Sequence, residues 1–300
     1  LEEEVKNVIK TIKSFGEYAT EIKFNFHDLS KNDIKLWKID NANSGCINSL
    51  FDLGVDELLE ENYKEAYEWF IKASEKGSNE AMFTLGLLYE YGSGVEQDYK
   101  ETFKWYQKSA DQDNIEAQNN LGDLYENGLG VEQDYEEAYK WYQKSADQGY
   151  YIAQNNLGHL YENGLGVEQD YKEAYKWYQK SADQDYNVAQ NNLGDLFFEG
   201  NGVEQDYKEA YKWYQKSADQ DYNVAQNNLG HLYENGLGVE QDYKEAFKWY
   251  QKSADPGFYI AQNNLGDLFF VVMELLKIMR RPINGIKNQQ IRGIIELKII

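Results

Sequence analysis

A tryptophan recurs at a fixed interval through most of this chain, and that interval limits the possible folds more than any other feature. A leucine–glycine pair keeps the same period of about 36 residues. Such a period indicates an array of small supersecondary units that cannot bury a core alone. Arrays of this kind mostly form binding surfaces, so the period favours a scaffold over an enzyme. The tryptophans are Trp69, Trp105, Trp141, Trp177, Trp213 and Trp249.

The first half of each unit predicts a helix. In residues 114–146, the side chains of Ala117, Leu121 and Leu124 lie at helical spacing. The pattern ends at Gly128, a residue type that commonly terminates helices.

The second half predicts another helix, which packs against the first. Asp134 with Glu137 three residues later predicts a helix start with a capping box. Gly122 lies in the middle of the first helix, where glycine costs ~1 kcal/mol relative to alanine. Because a glycine returns there in every unit, we expect the two helices to cross closely at that point. Each unit is therefore predicted to be a helical hairpin.

The conserved spacing of these residues within the array resembles the Sel-one-like repeat family, which is related to the tetratricopeptide repeats. The resemblance covers residues 47–270 and implies an all-α fold, an α/α solenoid with a right-handed superhelix. It also implies that the first helices line a concave face. In one unit the matching residues are Ala153, Leu157, Gly158, Tyr161, Gly164, Gly166, Val167, Asp170, Ala174, Trp177, Tyr178 and Ala182.

Three regions are expected along the chain. Residues 47–270 form six complete units and a half unit, and the first unit has a tight, tetratricopeptide-like turn near Glu61 and Asn62. Residues 1–46 match neither repeat and are expected to be an N-terminal cap or the remnant of an upstream domain. They contain a predicted helix near residues 2–15 and an aromatic segment with Phe24, Phe26 and Trp37.

The third region, residues 271–300, is basic and rich in isoleucine. With freely chosen codons, reading from one base earlier turns the segment after Arg281 into Ala-Tyr-Lys-Trp-Tyr-Gln-Lys-Ser. Those letters repeat residues 174–181 and place a tryptophan 36 residues beyond Trp249. We therefore expect a frame-shifted seventh repeat that carries no site of its own. The alternative is a genuine C-terminal helix that caps the array.

The composition limits the class of partner. A net charge of −22 and a pI near 4.5 argue against nucleic acid and anionic membranes. The acidic residues either attract a basic protein partner or simply keep the array soluble. No apolar run is long enough for a membrane span. A single cysteine, Cys46, and the lack of an N-glycosylation sequon favour an intracellular, cytoplasmic location.

No set of residues in the sequence has the pattern of a catalytic, metal or cofactor site. His159 and His231 lie two units apart, too far to share a metal, and His27 is isolated. Carboxylate pairs recur in every unit, whereas a catalytic pair needs one distinct environment. We expect no enzyme activity, no metal and no cofactor.

A polar stripe on the first helices is the predicted partner-binding surface. The resemblance implies that proteins of these repeat families bind a partner peptide along this stripe. Its asparagines could bond an extended backbone, and its acidic residues would favour a basic ligand. The alternative is that these are only solvated surface positions. The stripe comprises Asn119, Asp123, Glu126, Asn155, His159, Glu162, Asn191, Asp195, Asn227, His231 and Glu234.

The stripe becomes apolar toward the N-terminus, at Phe51 and Val55 in the first unit and at Phe83 and Leu87 in the second. Exposed apolar patches are usually covered or used for binding. We expect residues 1–46 to cover this patch as a cap, and the alternative is a hydrophobic docking site.

These observations predict a protein–protein interaction scaffold or adaptor that binds a polypeptide along the concave face. The chain begins at Leu1 without a methionine, which is expected of a fragment. The alternative function is therefore the regulatory repeat region of a larger signalling protein, in which the resemblance allows a kinase domain.

Overall fold

The computed structural model describes residues 31–255 and 257–280, and the regular structure of this part consists of fourteen α-helices. The predicted all-α class is confirmed. The helices are α1 (Lys31–Asn43), α2 (Ile47–Leu59), α3 (Tyr63–Glu75), α4 (Asn79–Tyr91), α5 (Tyr99–Ala110), α6 (Ile115–Asn127), α7 (Tyr135–Asp147), α8 (Tyr151–Asn163), α9 (Tyr171–Ala182), α10 (Asn187–Glu199), α11 (Tyr207–Ala218), α12 (Asn223–Asn235), α13 (Tyr243–Ala254) and α14 (Tyr259–Arg280).

The helices form the predicted hairpins. The described part of the chain divides into two compact units, with the boundary between Tyr150 and Tyr151. In the first unit α2 packs with α3, α4 with α5, and α6 with α7; in the second, α8 packs with α9, α10 with α11, and α12 with α13. Helix α14 packs against α13, and within the described residues no second helix follows it.

The helix ends follow the sequence signals, with one difference. Helix α6 ends at Gly128, whose φ of 67° lies in the left-handed region that favours glycine. Asp134 caps α7 by accepting hydrogen bonds from the backbone N–H groups of Glu136 and Glu137, at 3.0 and 3.1 Å. The second half of the predicted capping box is absent because the Asp134 N–H donates to the carbonyl of Tyr125 at 2.9 Å. Glu137 forms an ion pair with Lys140 instead.

The first hairpin has the predicted short connection. Helix α2 ends at Leu59 and α3 begins at Tyr63, and Glu61 between them has a φ of 62°. A connection of this length leaves no room for the glycine-rich loop of the later hairpins.

Each of the five hairpins from α4–α5 to α12–α13 crosses at a glycine that faces a tyrosine ring. A Cβ atom added to Gly122 would lie 2.5 Å from the ring of Tyr142, which is fully buried. No side chain fits into that distance, so the predicted close crossing is confirmed. The same contact joins Gly86 with Tyr106, Gly158 with Tyr178, Gly194 with Tyr214, and Gly230 with Tyr250.

Two polar contacts close the α6–α7 hairpin near the start of its first helix. The hydroxyl of Ser145 donates to the carbonyl of Ile115 at 2.8 Å. The side-chain amide of Gln148 donates to the Gln118 carbonyl oxygen, also at 2.8 Å. Equivalent pairs of bonds recur in the α8–α9 and α10–α11 hairpins.

Several predictions for the chain ends lie outside the described residues: the helix near residues 2–15, the aromatic residues Phe24 and Phe26, and residues 281–300. Trp37 lies on α1 and is about half exposed. Helix α14 continues without a loop to Arg280, well beyond the point where the earlier first helices end.

The crossing glycines allow a matched stability test. In Gly230→Ala the added Cβ would overlap the Tyr250 ring at 2.5 Å, and we expect a loss of ~2 kcal/mol in the free energy of unfolding. In Gly266→Ala the added Cβ meets no described atom within 4 Å, so helix propensity alone predicts a gain of ~1 kcal/mol. Urea denaturation followed by circular dichroism measures both. Equal changes in the two variants would contradict the crossing contact.

Candidate binding surface

The predicted polar stripe is only partly at the surface. Asn119, Asn155 and Asn191 are buried, with 3–7% of their surface exposed, while Asn227 is half-buried. The carboxylates of the stripe are half-buried as well: Asp123, Glu126, Glu162, Asp195 and Glu234. His159 and His231 are exposed. The prediction that the stripe lies at the surface is therefore wrong for Asn119, Asn155 and Asn191.

The buried asparagines connect successive repeats. In the second unit, the Asn192 amide donates to the Asn155 side-chain oxygen at 3.0 Å. Asn228 donates in the same way to Asn191 at 3.1 Å, and Asn264 donates to Asn227 at 2.8 Å. These bonds join first helices that lie one repeat apart. The asparagine row therefore has a structural role, and its contact with a partner remains a prediction.

The carboxylates of the stripe accept hydrogen bonds from the buried tyrosines of the second helices. The Tyr142 hydroxyl lies 2.6 Å from carboxylate oxygens of both Asp123 and Glu126. The Tyr178 hydroxyl donates to Glu162 at 2.6 Å. The remaining pairs are Tyr106 with Glu90, Tyr214 with Asp195, and Tyr250 with Glu234. These tyrosines were not predicted to take part in the binding surface.

A signal for these pairs was present in the sequence. A glutamate stands four residues after the crossing glycine in most hairpins that carry the tyrosine. In the first hairpin the ring against Gly54 belongs to Phe70, which lacks a hydroxyl, and the corresponding position is Leu58. In the hairpin where Phe198 replaces the glutamate, Asp195 accepts the bond instead. The tyrosine hydroxyl and an acceptor carboxylate are thus present in the same hairpins, and the first hairpin has neither at these two positions.

Crowding and burial hold some of these carboxyl groups partly protonated. Burial, together with the negative charges of Glu126 and Glu90, raises the pKa of Asp123 to about 7. Burial and the charges of Glu162 and Glu199 raise the pKa of Asp195 to about 7 as well. One tyrosine hydroxyl has a single proton, so the contact of Tyr142 with two carboxylates is satisfied best when one of them is protonated.

The two histidines of the stripe lie on separate first helices, α8 and α12. The His231 ring lies 5.7 Å from that of Phe198, whereas His27 is outside the described residues. Within residues 31–255 and 257–280, no group of three or more His, Cys, Asp or Glu side chains could hold a metal ion.

The apolar end of the stripe, which residues 1–46 were expected to cover, packs into the cores of the first two hairpins. Phe83 and Leu87 are 3% and 6% exposed and belong to the core around Tyr106. The Phe83 and Tyr106 rings stack with centroids 5.6 Å apart. Phe51 and Val55 are half-buried and pack against the first hairpin's core. These residues contribute to the hydrophobic core, because α2 and α4 bury a wider face.

Helix α1, which is part of the segment expected to form a cap, packs against α2. Ala42 is buried in the same core that Phe51 contacts. The Lys38 Nζ lies 2.6 Å from an Asp56 carboxylate oxygen, and the Lys35 Nζ lies 2.7 Å from one of Glu57. These contacts agree with a capping role for the part of the segment in α1, and the role of residues 1–30 stays a prediction.

In the second helix of each of the six hairpins, a lysine lies over the tryptophan ring. The ammonium group of Lys180 lies 3.6 Å from the centre of the Trp177 ring, a cation–π contact. The same arrangement recurs in the other five second helices at 3.7–4.2 Å. The lysine thereby covers one face of the tryptophan ring.

Comparison with known families identifies the class of protein. The Sel1 repeat family matches residues 48–78, 79–114, 115–150, 152–186, 187–222 and 223–257. The matches cover more than half of the chain, which therefore belongs to the Sel1 repeat family, as the resemblance implied. Proteins of this family generally serve as protein-interaction scaffolds and are generally not enzymes.

Two solved structures are similar to the chain over most of the array. One is c5321, a protective antigen of uropathogenic Escherichia coli with an SLR fold; it shares 34% identity over 86% of this chain and 55% of its own, with a TM-score of 0.73. The other is a Sel1 repeat protein from Oxalobacter formigenes, with 33% identity over 68% of this chain and 84% of its own, and a TM-score of 0.63. This chain thus spans just over half the length of c5321. A comparison with curated proteins finds no match.

None of the helices in the described part of the chain is both long and apolar enough to cross a membrane.

The tyrosine–carboxylate bond predicts a specific loss of stability in Tyr178→Phe. Removal of the hydroxyl leaves the half-buried Glu162 without its donor, and we expect a loss of ~1–2 kcal/mol in the free energy of unfolding. The control is Tyr175→Phe on the same helix, whose hydroxyl bonds Gln179 at 3.2 Å. We expect Tyr175→Phe to lower the free energy of unfolding by less than ~0.5 kcal/mol. Equal losses in urea denaturation would count against the bond.

The raised pKa of Asp123 predicts a dependence of stability on pH. Its pKa is about 7 in the folded chain and ~3.9 when unfolded, so the folded state binds more protons between these values. The free energy of unfolding therefore falls as the pH rises from about 4 to about 7. We expect Asp123→Asn to be more stable than the parent chain at pH 8, by at least ~1 kcal/mol, and similar to it at pH 4.

Thermal denaturation across this pH range measures the difference. Glu132→Gln, which removes an exposed loop carboxylate, is the control and should follow the parent chain. A constant offset between Asp123→Asn and the parent chain at every pH would contradict the assignment.

Proposed function

We propose that this chain is a non-catalytic intracellular scaffold that binds a basic, extended segment of a partner protein along its first helices. The family supports the scaffold role, because Sel1 repeat proteins bind proteins. The first helices are proposed as the binding face because they carry the crowded carboxylates.

The observation that carries the proposal is the electrostatic state of these carboxylates. Burial and neighbouring negative charges raise the pKa of both Asp123 and Asp195 to about 7. Burial also raises the pKa of Glu90. A lysine or arginine placed among these groups would lower their pKa values and relieve the repulsion. A basic segment would therefore bind more tightly here than at isolated surface carboxylates.

The net charge of −22 supports the same class of partner. It attracts basic chains over distances of about one Debye length, ~8–10 Å at physiological salt, and weakly repels acidic ones. The exposed His159 and His231 lie on α8 and α12, which also carry Glu162 and Glu234, and each ring offers a further polar contact on its helix.

A peptide-binding experiment tests the proposal. The probes are a labelled peptide of alternating Lys and Ala and the corresponding Glu peptide, measured by fluorescence anisotropy. We expect only the Lys peptide to bind. The triple variant Glu126→Gln, Glu162→Gln, Asp195→Asn should weaken binding about tenfold, which corresponds to ~1.4 kcal/mol.

The control removes the same number of carboxyl groups at another place. It combines Glu132→Gln, Glu168→Gln and Glu204→Gln, which remove exposed loop carboxylates. We expect this control to weaken binding by less than about twofold, because exposed charges are screened by salt. An equal loss in both triple variants would show nonspecific attraction to an acidic chain and would reject a site on the first helices.

A further inference from the structure

The row of acidic side chains on the first helices is interrupted by an aromatic residue in the second unit. The position four residues after the crossing glycine is Glu162 on α8 and Glu234 on α12, but it is Phe198 on α10. Both glutamates are half-buried, and each accepts a tyrosine hydroxyl, at 2.6 and 2.7 Å. An apolar ring therefore takes the place of a carboxylate between two acidic positions.

The Phe198 ring belongs to an aromatic cluster with Tyr207 and His231. Its centroid lies 5.3 Å from that of Tyr207, at the start of α11, and 5.7 Å from that of His231 on α12. Both pairs are edge-to-face, an arrangement that aromatic rings favour. Phe198 and Tyr207 are half-buried, whereas His231 is exposed. The cluster thus extends from the core to the surface and includes side chains of two successive repeats.

The hydrogen bonds around Tyr207 differ from those in the two neighbouring hairpins. There, the amides of Gln169 and Gln241 each donate both to the carbonyl of the row glutamate, at 2.7 and 2.8 Å, and to the hydroxyl of the first tyrosine of the second helix. Gln205 donates to the Phe198 carbonyl at 2.8 Å, and among the described residues it does not bond the Tyr207 hydroxyl. This hydroxyl is therefore available at the edge of the cluster.

The spacing of the first helices sets the distance between the three positions of the row. Asparagine side chains join α8 with α10 and α10 with α12 directly, and helices in direct contact lie ~8–10 Å apart. An extended chain advances ~3.3 Å per residue. A peptide that crosses these helices therefore places about every third side chain against the row.

We propose that Phe198, Tyr207 and His231 form a subsite for a large apolar side chain of the partner segment, with a basic side chain three residues away on each side. This rests on the proposed binding of a basic segment along the first helices and specifies the sequence of that segment. The central side chain is apolar because the half-buried aromatic cluster gains contacts when it is covered. The flanking side chains are basic because Glu162 and Glu234 lie on either side of the cluster.

Fluorescence anisotropy with two labelled peptides of equal charge tests the subsite. They are Lys-Ala-Ala-Phe-Ala-Ala-Lys and the peptide in which alanine replaces the phenylalanine. We expect the chain to bind the first about tenfold more tightly, because burial of such a side chain supplies about that factor or more. A shift of the phenylalanine by one position should abolish the preference, because successive side chains of an extended chain point to opposite sides.

The variant Phe198→Glu gives α10 the residue that α8 and α12 carry at this position. It also reproduces the pair of Asp123 and Glu126 on α6, so the fold accommodates it. We expect the preference for the phenylalanine peptide to fall below about twofold. The added negative charge does not affect this ratio, because both peptides carry the same charge. A lower melting temperature with an unchanged preference would show that Phe198 only packs the core, and would overturn the subsite.

Phe270→Glu is the matched control. Phe270 has the same local sequence as Phe198, Gly-Asp-Leu-Phe-Phe, and is exposed. Within the described helices, however, the row places a glutamate on only one side of it. We expect the preference to be unchanged in this variant. An equal loss in both variants would show general adhesion to exposed phenylalanines and would reject the subsite.

A third peptide, with a central arginine, identifies the occupant. If Phe198→Ala weakens its binding more than that of the phenylalanine peptide, the ring binds a cation and the apolar occupant is wrong. Equal binding of the phenylalanine and alanine peptides to the parent chain would overturn the subsite and leave the scaffold function standing. Binding of none of these peptides would reject the scaffold function itself.

Discussion

The contact between a helix glycine and a buried tyrosine ring determines the geometry of most hairpins in this protein. Gly122 lets α7 approach so closely that the ring of Tyr142 occupies the space of a Cβ atom. The ring then lies fully buried between the helices, and its hydroxyl emerges beside carboxylates of the first helix. One contact thus sets the helix spacing, fills the core and fixes the position of the polar groups above it.

The polar groups at this crossing connect stability with recognition. Burial and repulsion raise the pKa of Asp123 and Asp195 to about 7, so near neutral pH these groups destabilise the fold unless a proton or a cation compensates them. Tyrosine hydroxyls and asparagine amides provide part of this compensation. A basic partner would provide more, so the strain within the scaffold and its proposed preference for a ligand have the same electrostatic origin.

Much of the fold could be predicted from periodicity. The spacing of Ala, Leu and Gly marks one helix face, and N-cap aspartates such as Asp134 mark the starts of helices. The candidate surface was less predictable. Asn155 was assigned to the exposed face but is buried and accepts a bond from Asn192, in the next repeat. Phe83 was expected to lie under residues 1–46 but packs on Tyr106 of its own hairpin. Helical spacing gives the direction of a side chain but not how far the neighbouring helices cover it.

The sequence by itself determined the repeat, the hairpins, their caps and the close crossing, because these depend on residues within one unit and on backbone preferences. Only the tertiary structure decided which polar side chains pair, since Tyr178 and Glu162 lie 16 residues apart and Asn192 and Asn155 lie 37 apart. It also showed that no described atom lies within 4 Å of a Cβ at Gly266, although the local sequence equals that of Gly194. The environment of a side chain depends on the helices packed around it, and local sequence does not specify whether those helices are present.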